Sequence, residues 1–252
     1  MALQLPISQP SVADLRASIA VLADHRSIGF GIDAMDSRLG GGLRAGALHE
    51  AVANSCSLAD EAAATLFLAG IAAREARNLG APVLWASPRQ DLYAPGLVQA
   101  GLASADVIYA HARDDAALLA VIEDAVRDGT PSAVVGEITK LSMVATRRLQ
   151  LVAADADLPV LLLRRRRRRE EDPLAEPSAA STRWKIGSTR SERLGIAGVG
   201  RARWLVELVR QRGGEGFSLI VEGCDETGRL AIPAALGHRA AETAGTLRAA
   251  AA

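Results

Sequence analysis

A glycine-rich segment over residues 31–43, with Gly40, Gly41 and Gly42 in succession, leads through Gly46 into the apolar run 47–53. That arrangement is the approach to a phosphate-binding loop. A loop of the form G-x-x-x-x-G-K-[ST] after such a strand cradles phosphates with backbone amides, neutralises them with its lysine and holds magnesium with its hydroxyl. In its place stand Ala53, Asn54, Ser55, Cys56, Ser57, Leu58, Ala59, Asp60 and Glu61, with neither the glycine pair nor the lysine. Counting on from Glu50, the lysine and hydroxyl positions fall near Ala59 and Asp60, where a carboxylate would repel phosphate. A helix starting at Leu58 could still attract an anion through its free amides, but weakly without a lysine.

Other groups that could do chemistry are sparse. Glu137 follows the apolar run 132–136, where a metal-holding carboxylate would sit, and is read as a solvated acid at the strand end. Arg164, Arg165, Arg166, Arg167, Arg168 and Arg169 are adjacent, followed by Glu170, Glu171 and Asp172. Such a run is expected outside any packed element. Arginine forks bind phosphates and stack on bases, so the run is a candidate single-stranded DNA contact; a solvated charge run or a docking site for an acidic partner segment is the other reading. Because the run is placed in a loop, its replacement by alanine is expected to leave the fold intact. His25, His49, His111 and His238 show no recurrent spacing with carboxylates, and Ser55 and Ser57 lack the context of a nucleophile triad. Cys56 and Cys224 are far apart without metal-ligand partners, which suits incidental or buried thiols in a reducing cytoplasm. Neither a catalytic residue nor a metal site is assigned.

These groups need a scaffold, and the chain can supply one. Its 252 residues, 49% hydrophobic and 23% charged, suffice for a buried core, and its formal net charge of zero requires any nucleic-acid contact to come from local clustering. No apolar run reaches the roughly 18 residues of a membrane span, and no secretory leader pattern opens the chain, so a cytoplasmic protein is expected. Residues 11–23 begin with the capping pair Ser11 and Asp14 and carry Val12, Leu15, Ile19 and Leu22 on one helical face, a candidate for docking a partner or for packing on its own domain.

Beyond that helix, strands are expected at 47–53, 82–87, 106–110, 132–136 and 158–163. Helices fall at 58–78, closed by Gly80, at 115–127, closed by Gly129, and at 141–154. Strands alternating with helices of this length argue an α/β domain with a mostly parallel sheet and helices on both faces. After the arginine run the pattern reads as an antiparallel meander over 182–186, 203–210, 217–222 and 229–232. Trp204, Val206 and Leu208 share one face of the second of these strands, with Leu205 and Val209 suggesting partial burial of the other. Trp184 and Trp204 are expected in the core rather than as stacking platforms. The divisions are an N-terminal helix and linker over 1–26, the α/β domain over 27–233 with a basic loop at 164–181, and an alanine-rich tail over 234–252.

The pattern G-x-D-x-x-D-x-x-L-G-G-G-L-x-x-G-x-L-H-E over 31–50, the strand 83–87 with Pro88 and Tyr93-Ala94-Pro95 after it, the late Thr182-Arg183-Trp184 and the strand from Arg203 ending in Arg212-Gly213-Gly214 together resemble ImuA. These are the RecA-like accessory proteins of bacterial SOS mutagenesis, and the resemblance spans about residues 27–233. It implies a RecA-like core and a role in damage-induced translesion synthesis. The implied partners are ImuB, a Y-family polymerase homologue, and an error-prone C-family polymerase, with the sliding clamp reached indirectly and single-stranded DNA a further candidate.

Where RecA-type enzymes place a glutamate after the second strand this chain has Pro88-Arg89-Gln90, so with the lost loop no cofactor and no ATP hydrolysis are expected. In such folds the loop after the strand at 158–163 contacts DNA, and the arginines open that loop. Two alternatives stay beside the adaptor reading: a RecA-type ATPase with a degenerate nucleotide site, and a cell-division inhibitor resembling SulA.

Overall fold

The computed structural model describes residues 25–166, 168–191, 198 and 200–233. The helix expected at 11–23, with Val12, Leu15, Ile19 and Leu22, lies outside them, as do Arg167 and the tail from 234. The strands are β1 Ser27–Ile28, β2 Leu43–Arg44, β3 Leu48–Ala53, β4 Val83–Ser87, β5 Val107–His111, β6 Ala133–Ile138, β7 Val160–Arg164, β8 Thr182–Thr189, β9 Arg203–Gln211 and β10 Phe217–Glu222. The helices are α1 Asp33–Asp36, α2 Leu58–Leu79, α3 Ala94–Gln99, α4 Asp115–Asp128 and α5 Met143–Ala156.

Local chemistry sets most of the helix ends. The hydroxyls of Ser57 and Ser142 and the carboxylate of Asp114 accept the N–H three residues on at the starts of α2, α5 and α4, and Gly80 and Gly129 close α2 and α4 in left-handed conformation. Asp157 closes α5 in the same conformation, which costs a non-glycine residue more.

Eight strands form one sheet in the order β10-β9-β8-β3-β7-β6-β4-β5. From β8 to β5 all pairs are parallel, and β9 and β10 extend the sheet antiparallel. The expected meander is present as β8-β9-β10, each strand antiparallel to the next, and it joins the parallel part of the sheet where β8 lies beside β3. Its expected last strand, 229–232, contributes a single bridge between Ala231 and Glu222.

Helices cover both faces of the sheet. Apolar residues of α2 pack on one face with Ala51, Leu161 and Trp85, while residues of α4 and α5 pack on the other with Leu48, Val134 and Leu162. At strand β8, Trp184 sits among Phe30, Phe67 and Phe217 with ring centroids 5.6–5.9 Å apart, and Trp204 is also buried. Leu205 and Val209, in contrast, are 37% and 44% exposed, because among the described residues no helix covers that face of the β9–β10 extension.

The glycine-rich segment is a structural hairpin. The Asp36 carboxylate accepts N–H groups of Phe30 at 2.7 Å, Gly31 at 2.8 Å and Ile32 at 3.3 Å, which places Phe30 and Met35 in the core. Gly42 has φ of +132°, and a Cβ there would strike the Ile28 backbone, so β1 and β2 can pair only if that residue is glycine. Among the described residues no helix is long and apolar enough to cross a membrane.

Candidate functional site

The carboxyl ends of β3, β7, β6 and β4 meet along one edge of the sheet, where open α/β folds bind ligands. Strand β3 ends at Ala53 and α2 begins at Leu58, so four residues make the turn that a phosphate loop of about eight would occupy. The turn is closed on itself. Ser57 Oγ accepts the Asp60 N–H at 3.1 Å, and the Ser55 hydroxyl donates to Asp60 Oδ2 at 2.6 Å. Asp60 Oδ1 accepts the Ser188 N–H of β8 at 2.7 Å, so this carboxylate is held by the protein rather than turned toward an incoming phosphate.

Arg166 crosses from the end of β7 and caps the turn. Its Nη2 donates to the carbonyls of Ala53 at 3.0 Å and Asn54 at 3.3 Å, and its Nη1 donates to the Glu171 carbonyl. Beside it, Arg165 binds Glu137 Oε2 through Nε at 3.0 Å and also pairs with Glu61. The Trp85 indole N–H donates to Glu137 Oε1 at 3.0 Å. Glu137 is therefore fully buried, with both oxygens engaged. The expectation of a solvated acid fails because Arg165 folds back over the sheet end. Burial is the largest influence on Arg165 and acts to lower its pKa, yet Glu137 and Glu61 outweigh it and hold the guanidinium above its ordinary range. After β4, where the second carboxylate would stand, Arg89 pairs with Asp91 at 3.0 Å.

The arginine run divides by environment. Arg164 is the last residue of β7 and is 2% exposed, which corrects the expectation of a run lying wholly outside packed structure. Its Nη1 lies 3.4 Å from Glu50 Oε2 and its Nη2 2.9 Å from Glu176, while Arg183 Nε donates to the same Glu50 oxygen at 3.0 Å. Ser178 donates its hydroxyl to Glu50 Oε1. Without these partners Glu50, buried in the middle of β3, would be an uncompensated charge.

Arg168 and Arg169 are exposed. With Arg166, Asn54, Ser55, Cys56, Ser57 and Glu61 they line an open depression of about 680 Å³ over the shortened turn. The Cys56 thiol is exposed there, 3.7 Å from the Arg169 carbonyl. Cys224 instead packs against Gly70 of α2, and burial pushes its thiol up to about 12. Among the described residues no group of three histidine, cysteine or carboxylate side chains could hold a metal ion.

Sequence reasoning missed Glu50, Arg183, Ser178 and Glu61 as partners of the run, and missed His49. The signal for Glu50 was a carboxylate inside the otherwise uncharged strand 48–53, which requires a buried cation somewhere. His49 is wholly enclosed. Its Nε2 lies 2.8 Å from the Arg44 carbonyl and its Nδ1 2.7 Å from the Thr182 hydroxyl, which also accepts the Trp184 indole N–H at 2.7 Å. In the consistent assignment Thr182 donates to Nδ1 and the ring is neutral, protonated on Nε2. Burial lowers its pKa to about 4, against a smaller opposing effect of the Arg44 carbonyl.

The strand order and the turn at the end of β3 define a RecA-like α/β protein that lacks the usual phosphate loop. The structure of the RadB recombinase matches with a TM-score of 0.56 at 18% identity, covering 82% of this chain and 99% of that one. No protein-family model matches the chain. The ImuA proteins of Caulobacter vibrioides strains NA1000 and CB 15 are each 35% identical over 182 residues, covering 69% of this chain and 74% of theirs. The chain belongs to the ImuA family.

Proposed function

We propose that the chain is a non-catalytic accessory protein of damage-induced translesion DNA synthesis, an adaptor that joins an ImuB-type Y-family polymerase homologue to an error-prone C-family polymerase. Membership of the ImuA family supports the setting. The observation that carries the non-catalytic reading is the turn after β3, four residues long, self-capped through Ser55, Ser57 and Asp60, and covered by Arg166. It offers neither a ring of loop amides nor a lysine to a triphosphate. Glu137, the carboxylate nearest the position of a magnesium-holding acid, is committed to Arg165 and Trp85.

A sheet that keeps its packing while its nucleotide chemistry is gone serves as a scaffold. In this reading it needs no cofactor and meets the sliding clamp only through the polymerases. The arginine-lined depression gives the scaffold one charged contact, with Arg168 and Arg169 as the forks for single-stranded DNA phosphates or an acidic partner segment.

The test is recovery of the tagged full chain from DNA-damaged cells. Both polymerases are expected to co-purify. Recovery in their place of a cell-division GTPase, the target expected of an inhibitor resembling SulA, or of neither polymerase, would overturn the proposal.

A further inference from the structure

At the opposite edge of the sheet, where β3 and β8 begin and β9 ends, lies a second recess that the adaptor reading does not use. It encloses about 230 Å³, and its wall includes Arg44, Arg212, His25, Ser27 and Ser181 with His49 and Thr182 beneath. No carboxylate lines it. The nearby acids have other partners: Asp157 and Glu75 bind Arg26, and Asp36 accepts the amides of residues 30–32.

Arg44 is the informative residue. A guanidinium carries five N–H donors, yet the one side-chain contact of Arg44 among the described residues is Nη2 to His25 Nδ1 at 3.3 Å. Its Nε is buried without a partner. A cation whose hydrogen-bonding partner is another basic side chain is poorly satisfied, since neither group supplies negative charge. The Arg212 side chain, at the rim, has no partner among the described residues, although its backbone N–H is fixed to the Ser181 carbonyl at 2.8 Å. Two guanidinium groups, the His25 imidazole and the Ser27 hydroxyl therefore surround a space with room for an oxyanion and several waters, each of which takes about 30 Å³ in the liquid, while the Ser181 hydroxyl on the wall already donates to Gln150 Oε1 at 3.1 Å. His49 plays no direct part, because both its ring nitrogens are already engaged.

We propose that this recess binds a phosphate-sized oxyanion, gripped by Arg44 and Arg212. Forked N–H donors without a protein acid are the arrangement such an ion satisfies. The anion would replace His25 as the acceptor for Arg44 and release the imidazole to donate.

Calorimetric titration of the full chain with inorganic phosphate tests this, with sodium acetate as the monoanion control. Saturable phosphate binding is expected, weakened about tenfold by Arg44→Gln and by Arg212→Gln, the loss of one charge-assisted hydrogen bond. The double variant Arg168→Gln/Arg169→Gln separates this recess from the depression above β3: saturable phosphate binding that Arg44→Gln weakens should persist in it. Because Arg212 is exposed, its substitution keeps the test valid if Arg44→Gln proves unstable. Adenosine monophosphate binding with equal affinity would assign the site to the phosphate group itself, and tighter binding to a phosphate carried on a nucleotide. No saturable phosphate binding, acetate binding as tight as phosphate, or loss of binding with the Arg168 and Arg169 changes alone would overturn the proposal.

Discussion

Replacing Arg164 with alanine is expected to lower the unfolding free energy by about 3–4 kcal/mol, toward the lower end of what removing one partner of a buried ion pair costs because Arg183 remains. Glu50 would keep Arg183 at 3.0 Å and the Ser178 hydroxyl but lose the Arg164 guanidinium on its other side, inside a strand with no route to water. Urea unfolding at neutral pH measures the change as a drop in midpoint at constant slope.

Arg168→Ala and Arg169→Ala, at exposed positions, should stay within about 0.5 kcal/mol of the parent. If these two residues contact DNA phosphates, the double variant should reduce the steepness with which salt weakens single-stranded DNA binding, by about one for each lost contact. Replacing all six arginines at once would confuse the two effects, since loss of binding could then report unfolding. A cost below about 1 kcal/mol for Arg164→Ala would contradict the buried cluster as drawn.

The second large effect is acid sensitivity at His49. With a folded pKa of about 4 against 6.5 in the unfolded chain, the ring is neutral in both states above pH 6.5, and its contribution to stability is complete there. As pH falls below 6.5 the unfolded chain binds a proton that the folded chain refuses, so stability declines until about pH 4, where both states are protonated. The loss integrates to about 3 kcal/mol. His49→Gln should remove this component. Urea midpoints of the two proteins between pH 7 and 4.5 should therefore converge, with the parent falling more steeply. Parallel profiles would show that the folded and unfolded chains take up this proton together, which the enclosed ring does not allow.

Much of the fold could be read from local pattern because the relevant signals are local. Ser57, Gly80, Asp114, Gly129 and Ser142 sit at helix ends for reasons contained within a few residues, and the apolar runs of β3, β4, β6 and β7 match strands buried on both faces. The place of β8 was not readable in this way. Its neighbour β3 precedes it by more than a hundred residues, and its position depends on Trp184 fitting between Phe30 and Phe67.

The site shows the same division. The missing phosphate loop was visible at once, since it is a contiguous motif, but the groups that occupy its surroundings were not. Glu137 met Arg165 and Trp85, and Glu50 met Arg164 and Arg183, through contacts that only the sheet order creates. A run of six arginines reads as one feature in sequence, whereas the strand end at Arg164 divides it into buried and exposed parts.

The proposed adaptor role has the RecA-like sheet work without nucleotide chemistry. The most direct test is calorimetric titration of the full chain with magnesium and ATP, paired with a phosphate-release assay in the presence and absence of single-stranded DNA. The structure of the turn at Asn54 to Ser57 predicts no magnesium-dependent binding and no release above the protein-free rate. Saturable magnesium-dependent ATP binding that Asp60→Ala abolishes, with hydrolysis stimulated by DNA, would contradict the account.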